Sequence, residues 1–471
     1  MRYVIYSLFA SLLLLSGGAQ SQQSITLSNE LLQELQKYEL QIEELESQFG
    51  PLSETILEPL SSISALLEAQ GNFEALVEIQ GRQFALMRIN LGLEHPDLVR
   101  MVRAMIATDK RLGDWQAIAD HLDLLRTLQA AIHGVHSDEL FKAVEDQAQW
   151  YLTRVAIDGS TRPGRNFMRA RDLYKELEDL AEDRFGENNP ELYPWYYKRA
   201  NNLAQLVALL NAETGLAGNT FDELVRADGL IKIEQYSPYN NIDLIWGPSR
   251  RISLTRADLL LGEAYLRDGL RLIGKMRDIA EEADDKEAEA MANLYYADFR
   301  ILLNRGASRN YRRMHEQLLE VGIESQRIET LFNRPTVIPL PIFFDRFADL
   351  EAYQAANIAK RDYISEDLLY VGEFTAWDED AKSIIKPLST DPLLRVELPY
   401  YQADLSFRIS TRGKPSSIDI DVLSMNPDER LVERRATRAL RDIRFRPSIV
   451  EGKPKRIRDL QLRYYYFERD D

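Results

Sequence analysis

At 471 residues the chain has room for about three domains as a soft prior, and a hydrophobic content of 45% supports a sizeable core rather than wholesale disorder. The net charge is −17 but uneven: residues 396–471 hold 16 Lys and Arg against 13 Asp and Glu, a net of +3, which leaves −20 on the rest. An acidic body argues against bulk nucleic-acid binding, and the absence of cysteine excludes disulfides, thiol chemistry and lipid attachment at a cysteine.

The first residues have the form of a secretory signal, residues 1–19. Arg2 supplies a charge, Val4 to Leu15 is a short apolar run, and Ser16-Gly17-Gly18-Ala19 offers small residues, with cleavage expected after Ala19. The other reading of this run is an uncleaved anchor, but it is shorter than the ~20 residues a spanning helix needs. No later segment is long and apolar enough to span a membrane. Ser28 to Phe49 reads as an amphipathic helix whose stripe, Leu31, Leu35, Tyr38, Ile42, Leu45 and Phe49, is expected to dock on the next helices, with coiled-coil pairing the alternative.

A repeat follows. Gly71-Asn72-Phe73-Glu74-Ala75 recurs 42 residues later as Gly113-Asp114-Trp115-Gln116-Ala117, and Gly92 with Gly134 and Leu98 with Leu140 keep the spacing. Arg184-Phe185-Gly186 to Leu192 matches Asn90-Leu91-Gly92 to Leu98, at an offset that implies an insertion near Gly159 to Gly164. Each unit is two helices joined by a Gly turn, and such a hairpin buries its apolar face only by stacking into a solenoid. These units resemble tetratricopeptide repeats, in a 42-residue variant. Helical pattern returns at Leu254 to Glu282, Asp285 to Arg305 and Asn310 to Phe332, so the solenoid is placed at residues 24–332. Tyr236 to Pro248 reads as an irregular insertion. A connecting region, 333–395, then holds Pro335, Pro339 and Pro341, a helix at Asp345 to Lys360, an ambiguous strand near Tyr370 to Phe374, and a linker at Asp378 to Arg395.

Signals for catalysis are poor. His133 and His136 have a metal-like spacing but sit in an inter-helix turn without an acidic partner pattern, so no metal or cofactor is expected. Paired acids such as Asp284-Asp285 and Glu43-Glu44 read as solvated charge. The aromatic cluster Tyr193, Trp195, Tyr196 and Tyr197 is denser than a helix core needs; core packing and a binding surface are both open readings.

From Tyr401 onward the pattern changes. Alternating runs at Leu405 to Ser410, Ile418 to Val422 and Ile457 to Phe467 read as strands, and Pro427 to Ile443 as a helix with Val432, Ala436, Ala439, Leu440 and Ile443 on its apolar face. Strand, strand, helix, strand makes a two-layer αβ sandwich. Opposite the apolar face, Arg430, Arg434, Arg438 and Arg441 form a basic ridge.

The hairpin Phe407 to Pro415, the helix end with Phe445-Arg446-Pro447 and the turn Gly452-Lys453-Pro454 together resemble the C-terminal domain of the TonB family, over residues 396–471. Ile443 stands where that family's signature has an aromatic, and Pro399-Tyr400 reverses its opening Tyr-Pro. The resemblance implies a Gram-negative periplasm and a sheet edge that pairs with an extended segment of an outer-membrane receptor, here Ile457, Leu460, Leu462, Tyr464 and Tyr466.

The whole is thus expected to be mostly α with a C-terminal α+β domain, and to act as an exported, periplasmic, non-catalytic interaction scaffold. Its expected partner is a protein or peptide of the cell envelope; nucleic acid is not expected, and contact with a membrane surface stays open. Two other functions remain open: a TonB-type energy-transducing or transport-accessory protein with a retained anchor, and an accessory to an envelope-polymer enzyme.

Overall fold

The computed structural model describes residues 21–157, 163–211, 254–333, 336–359, 368–369, 400–422 and 429–467. The expected signal, the insertion at Tyr236 to Pro248, the run Tyr370 to Phe374 and the linker at Asp378 to Arg395 lie outside these residues. The chain divides into two compact units, residues 1–132 and 133–471. The αβ region is part of one compact unit with the helices of residues 133 onward.

In the first unit α1 (Ser21–Phe49) is followed by α2 (Leu57–Gln70), α3 (Phe73–Leu91), α4 (Pro96–Leu112) and α5 (Trp115–His133). The stripe on α1 does dock: Leu35 and Ile42 are buried, and Tyr38 and Leu45 pack partly, against Ile56, Leu60, Ile63, Leu67, Leu76 and Leu86. Phe49, the last residue of that stripe, is 60% exposed.

The 42-residue spacing has a physical meaning at the turns. Gly71 and Gly113 close α2 and α4 in the left-handed region, at φ 71 and 68. Asn72 and Asp114 then cap the next helix, accepting from the N–H of Ala75 and Ala117. The longer turns share a second device. Three residues after Gly92, Gly134 and Gly186, the side chains of His95, Ser137 and Asn189 accept from the N–H of Asp97, Leu140 and Glu191. One capping grammar thus serves three hairpin turns, and His95 is a cap within it.

The second unit continues with α6 (Asp138–Ile157), α7 (Pro163–Phe185), α8 (Tyr193–Asn211), α9 (Leu254–Glu282), α10 (Lys286–Leu302), α11 (Ser308–Glu320) and α12 (Ser325–Phe332). The expected single helix Asn310 to Phe332 is two, because Gly322 at φ 86 ends α11 and its N–H bonds Leu319 O. After α12 come β1 (Thr336–Ile338), α13 (Phe347–Ala359) and β2 (Leu368–Leu369).

The αβ region holds β3 (Tyr400–Ile409), β4 (Pro415–Val422), α14 (Glu429–Asp442), β5 (Arg444–Arg446), β6 (Ser448–Val450), β7 (Lys453–Lys455) and β8 (Ile457–Phe467). The main sheet has the order β2-β8-β3-β4, with β8 and β4 both antiparallel to β3. Period-2 alternation sets its core face: Leu405, Phe407 and Ile409 are buried, while Ser406 and Arg408 are exposed. Ala436, Leu440 and Ile443 of the α14 segment close that face. Strand, strand, helix, strand is therefore present. The three short strands β5 to β7 were not foreseen, since three-residue strands carry too little alternation to be seen.

Candidate interaction surfaces

The aromatic cluster is spent inside the molecule. Tyr193, Tyr196 and Tyr197 are buried, and Trp195 is half-buried with its ring 4.7 Å from that of Phe141. Tyr196 donates to Glu182 at 2.6 Å, and burial together with that bond pushes its hydroxyl pKa up. Burial also pushes Tyr193 up to about 12. The ring of Phe343 lies 5.5 Å from Tyr193, 5.9 Å from Tyr197 and 4.9 Å from Tyr295.

Phe343 belongs to a strap, residues 336–346, which α8 and α10 hold by its main chain. Tyr197 donates to Leu340 O and Asn201 to Pro341 O. Tyr295 donates to Ile342 O at 2.9 Å and accepts from the Phe344 N–H at 3.1 Å. The far end is clamped by a bidentate pair, with Arg346 Nη1 and Nη2 at 2.7 and 2.6 Å from the Asp285 carboxylate. Asp285 is therefore not simply solvated charge; it also caps α10 by accepting from Ala288 N–H. The Arg346 bonds hold its carboxyl below the usual carboxylate value.

The near end of the strap joins the αβ region. β1 pairs antiparallel with β5, Val337 opposite Phe445. Phe445 is buried, its ring 5.6 Å from Phe407. Arg446 is 1% exposed and reaches Asp298 of α10, also 1% exposed, with Nε at 3.0 Å. Tyr311 donates to the same carboxylate at 3.2 Å. Burial pushes the Asp298 carboxyl up, against the pull of Arg446, and the Asp298 charge keeps Arg446 protonated against its own burial. Two glycines let backbones close in around this pair. A Cβ at Gly413 would lie 2.1 Å from Phe445 O, and one at Gly452 would lie 3.0 Å from Arg312 Cα. Ser448 adds a bond to Asn333 at 3.0 Å. Within Phe445-Arg446-Pro447, Arg446 thus faces the helices of its own chain, while Phe445 fills the core under the sheet.

The expected strand edge is not wholly free. β8 carries β3 on one side and, on the other, β2 in parallel register with Leu368 opposite Gln461 and Leu369 opposite Leu462. Ile457 and Leu460 are half-buried against the core of the sheet, so they belong to its inner face rather than to an exposed contact. Leu462, Tyr464 and Tyr466 stand opposite Leu405, Ala403 and Tyr401 on β3. Of the basic ridge, Arg430, Arg434 and Arg441 are exposed on α14 and make no ion pair among the described residues; Arg438 lies on the same helix.

His133 and His136 are both exposed, and among the described residues no group of three or more His, Asp or Glu is placed to hold a metal ion. No helix among them is long and apolar enough to cross a membrane. Asp298, Tyr295, Asn201 and the strap escaped the sequence reading. Their only signal was the Pro-Leu-Pro run, which reads as a helix breaker.

No family model matches the chain. No curated protein matches it either. Among solved structures, the TPR-like repeats of a kinesin light chain type from Podosopora anserina are 14% identical, covering 46% of this chain and 93% of that one at a TM-score of 0.26. BtubC (BKLC) from P. vanneervenii is 13% identical, covering 64% of this chain and 92% of that one at 0.24. At these scores the reading of helical repeats rests on this chain's own hairpins and capping turns.

Proposed function

We propose that this protein is a non-catalytic interaction scaffold: an array of helical hairpins, of tetratricopeptide type, carrying an αβ unit that binds an extended peptide by adding it to the β8 edge. One observation supports the reading above the others. β8 already takes an added strand from its own chain, β2, which pairs with it over only two residues. An edge that accepts two residues in cis accepts a longer segment in trans by the same main-chain bonds. The partner's segment would replace β2 and extend along the rest of β8.

The resemblance to the TonB family and the expected signal at residues 1–19 favour an envelope protein as the partner, an outer-membrane receptor among the candidates, and the periplasm as the place. The buried Arg446–Asp298 pair fits an αβ unit held fast on its helices better than one that swings on a spacer. A photo-cross-linker at Gln461 of the full chain tests this in envelope fractions. Cross-links to a second protein are expected, and they should increase when Leu369→Pro loosens β2. Cross-links confined to residues 368–369 in both forms would refute it.

A further inference from the structure

We infer that the opposite edge of the same sheet, the outer side of β4, is a second docking surface, and that it takes an extended protein segment carrying Lys or Arg at alternate positions. This goes beyond the reading of β8 and does not depend on it. In the order β2-β8-β3-β4, β4 has a strand neighbour on one side only among the described residues. Beyond the irregularity at Ser417, alternate residues from Ile418 to Val422 therefore turn their N–H and C=O groups outward, a row of main-chain donors and acceptors.

Two features say what fits there. The core face of β4 is fixed: Ile418, Ile420 and Val422 pack against the cluster of Leu405, Phe407 and Leu440, so the register of the edge is set and its backbone is ordered. The other face carries charge. Asp419 and Asp421 are exposed and make no ion pair among the described residues. Their neighbours on β3 are Ser406 and Asp404, so no cation stands opposite either of them.

A strand laid along β4 brings its own side chains to about 4.5–5.5 Å, Cβ to Cβ, from Asp419 and Asp421. Lys or Arg at alternate positions of that strand meets both carboxylates, and apolar residues between them extend the half-buried row of Ile418, Ile420 and Val422. A second copy of this chain fits poorly, because β4 against β4 would bring aspartates together, and like charges across strands repel. The occupant is therefore a basic, alternating segment of another protein.

Fluorescence anisotropy with the full chain tests this. The probes are a labelled peptide alternating Lys and Val, a Glu–Val twin, and the Lys peptide N-methylated on alternate amides in either phase. The Lys peptide should bind. The Glu peptide, and the N-methylated peptide of one phase, should bind about tenfold more weakly. Asp419→Lys with Asp421→Lys should reverse the preference, whereas Glu74→Lys with Glu78→Lys, the same charge change on exposed α3, should leave it alone. Equal binding of the Lys and N-methylated peptides in both phases, or an equal effect of the two charge reversals, would mean attraction to a net acidic protein and would overturn the proposal. So would failure of the Lys peptide to bind.

Discussion

Arg446 shows how one residue changes meaning between sequence and structure. In the sequence it is part of a basic-aromatic motif. In the fold it is buried against Asp298, 148 residues earlier. Removing either partner strands a charge in the core, so Arg446→Ala or Asp298→Ala should each lower stability by about 3–5 kcal/mol. The apolar pair Arg446→Met with Asp298→Leu should cost less than either single change, read by urea unfolding. Asp285 gives a pH signature. Its carboxyl is held below its ordinary 3.8, so its contribution is present above that value and is lost as pH falls through the lower, folded pKa. Asp285→Asn should therefore flatten the loss of stability below pH 3.8, measured as melting temperature against pH. None of these pairings was legible beforehand. A lone Asp on a helix and a lone Arg before a proline carry no sign of each other, because their meeting depends on tertiary packing.

At the scale of elements, the sequence was most informative where local chemistry decides the structure. Gly at a helix end followed by a small polar cap is a local rule, and so the hairpins were legible from the 42-residue spacing. Strand alternation gave β3, β4 and β8, and the last was placed with its observed bounds, Ile457–Phe467. The strap was illegible for the converse reason. It is held mostly through its carbonyls, which every residue possesses. Similarly, that β8 has a neighbour on both sides follows from strand order, which alternation does not encode. Two glycines separate these cases. Gly134 at φ 90 has open space around it, so Gly134→Ala should cost about 1 kcal/mol of backbone strain alone. Gly413→Ala adds a clash with Phe445 O to the same strain and should cost several times as much, by thermal unfolding.

At the scale of the whole molecule, the αβ region and the helices before it belong to one compact unit, residues 133–471. Among the described residues the β1–β5 ladder, the Arg446–Asp298 pair, the Ser448–Asn333 bond, and the close approaches of Gly413 to Ile301 and of Gly452 to Arg312 join them. Among the described residues Arg430, Arg434 and Arg441 of α14 and the outer side of β4 take no part in this joint. A joint of this kind should make the sheet and its supporting helices open together rather than as independent modules. Native-state hydrogen exchange on the full chain, with and without Arg446→Ala, measures this most directly. Loss of protection in β3 and β8 that is matched in α10, α11 and the strap is the expected result. Loss confined to residues 400–467, with α10 and α11 protected as before, would contradict a welded joint.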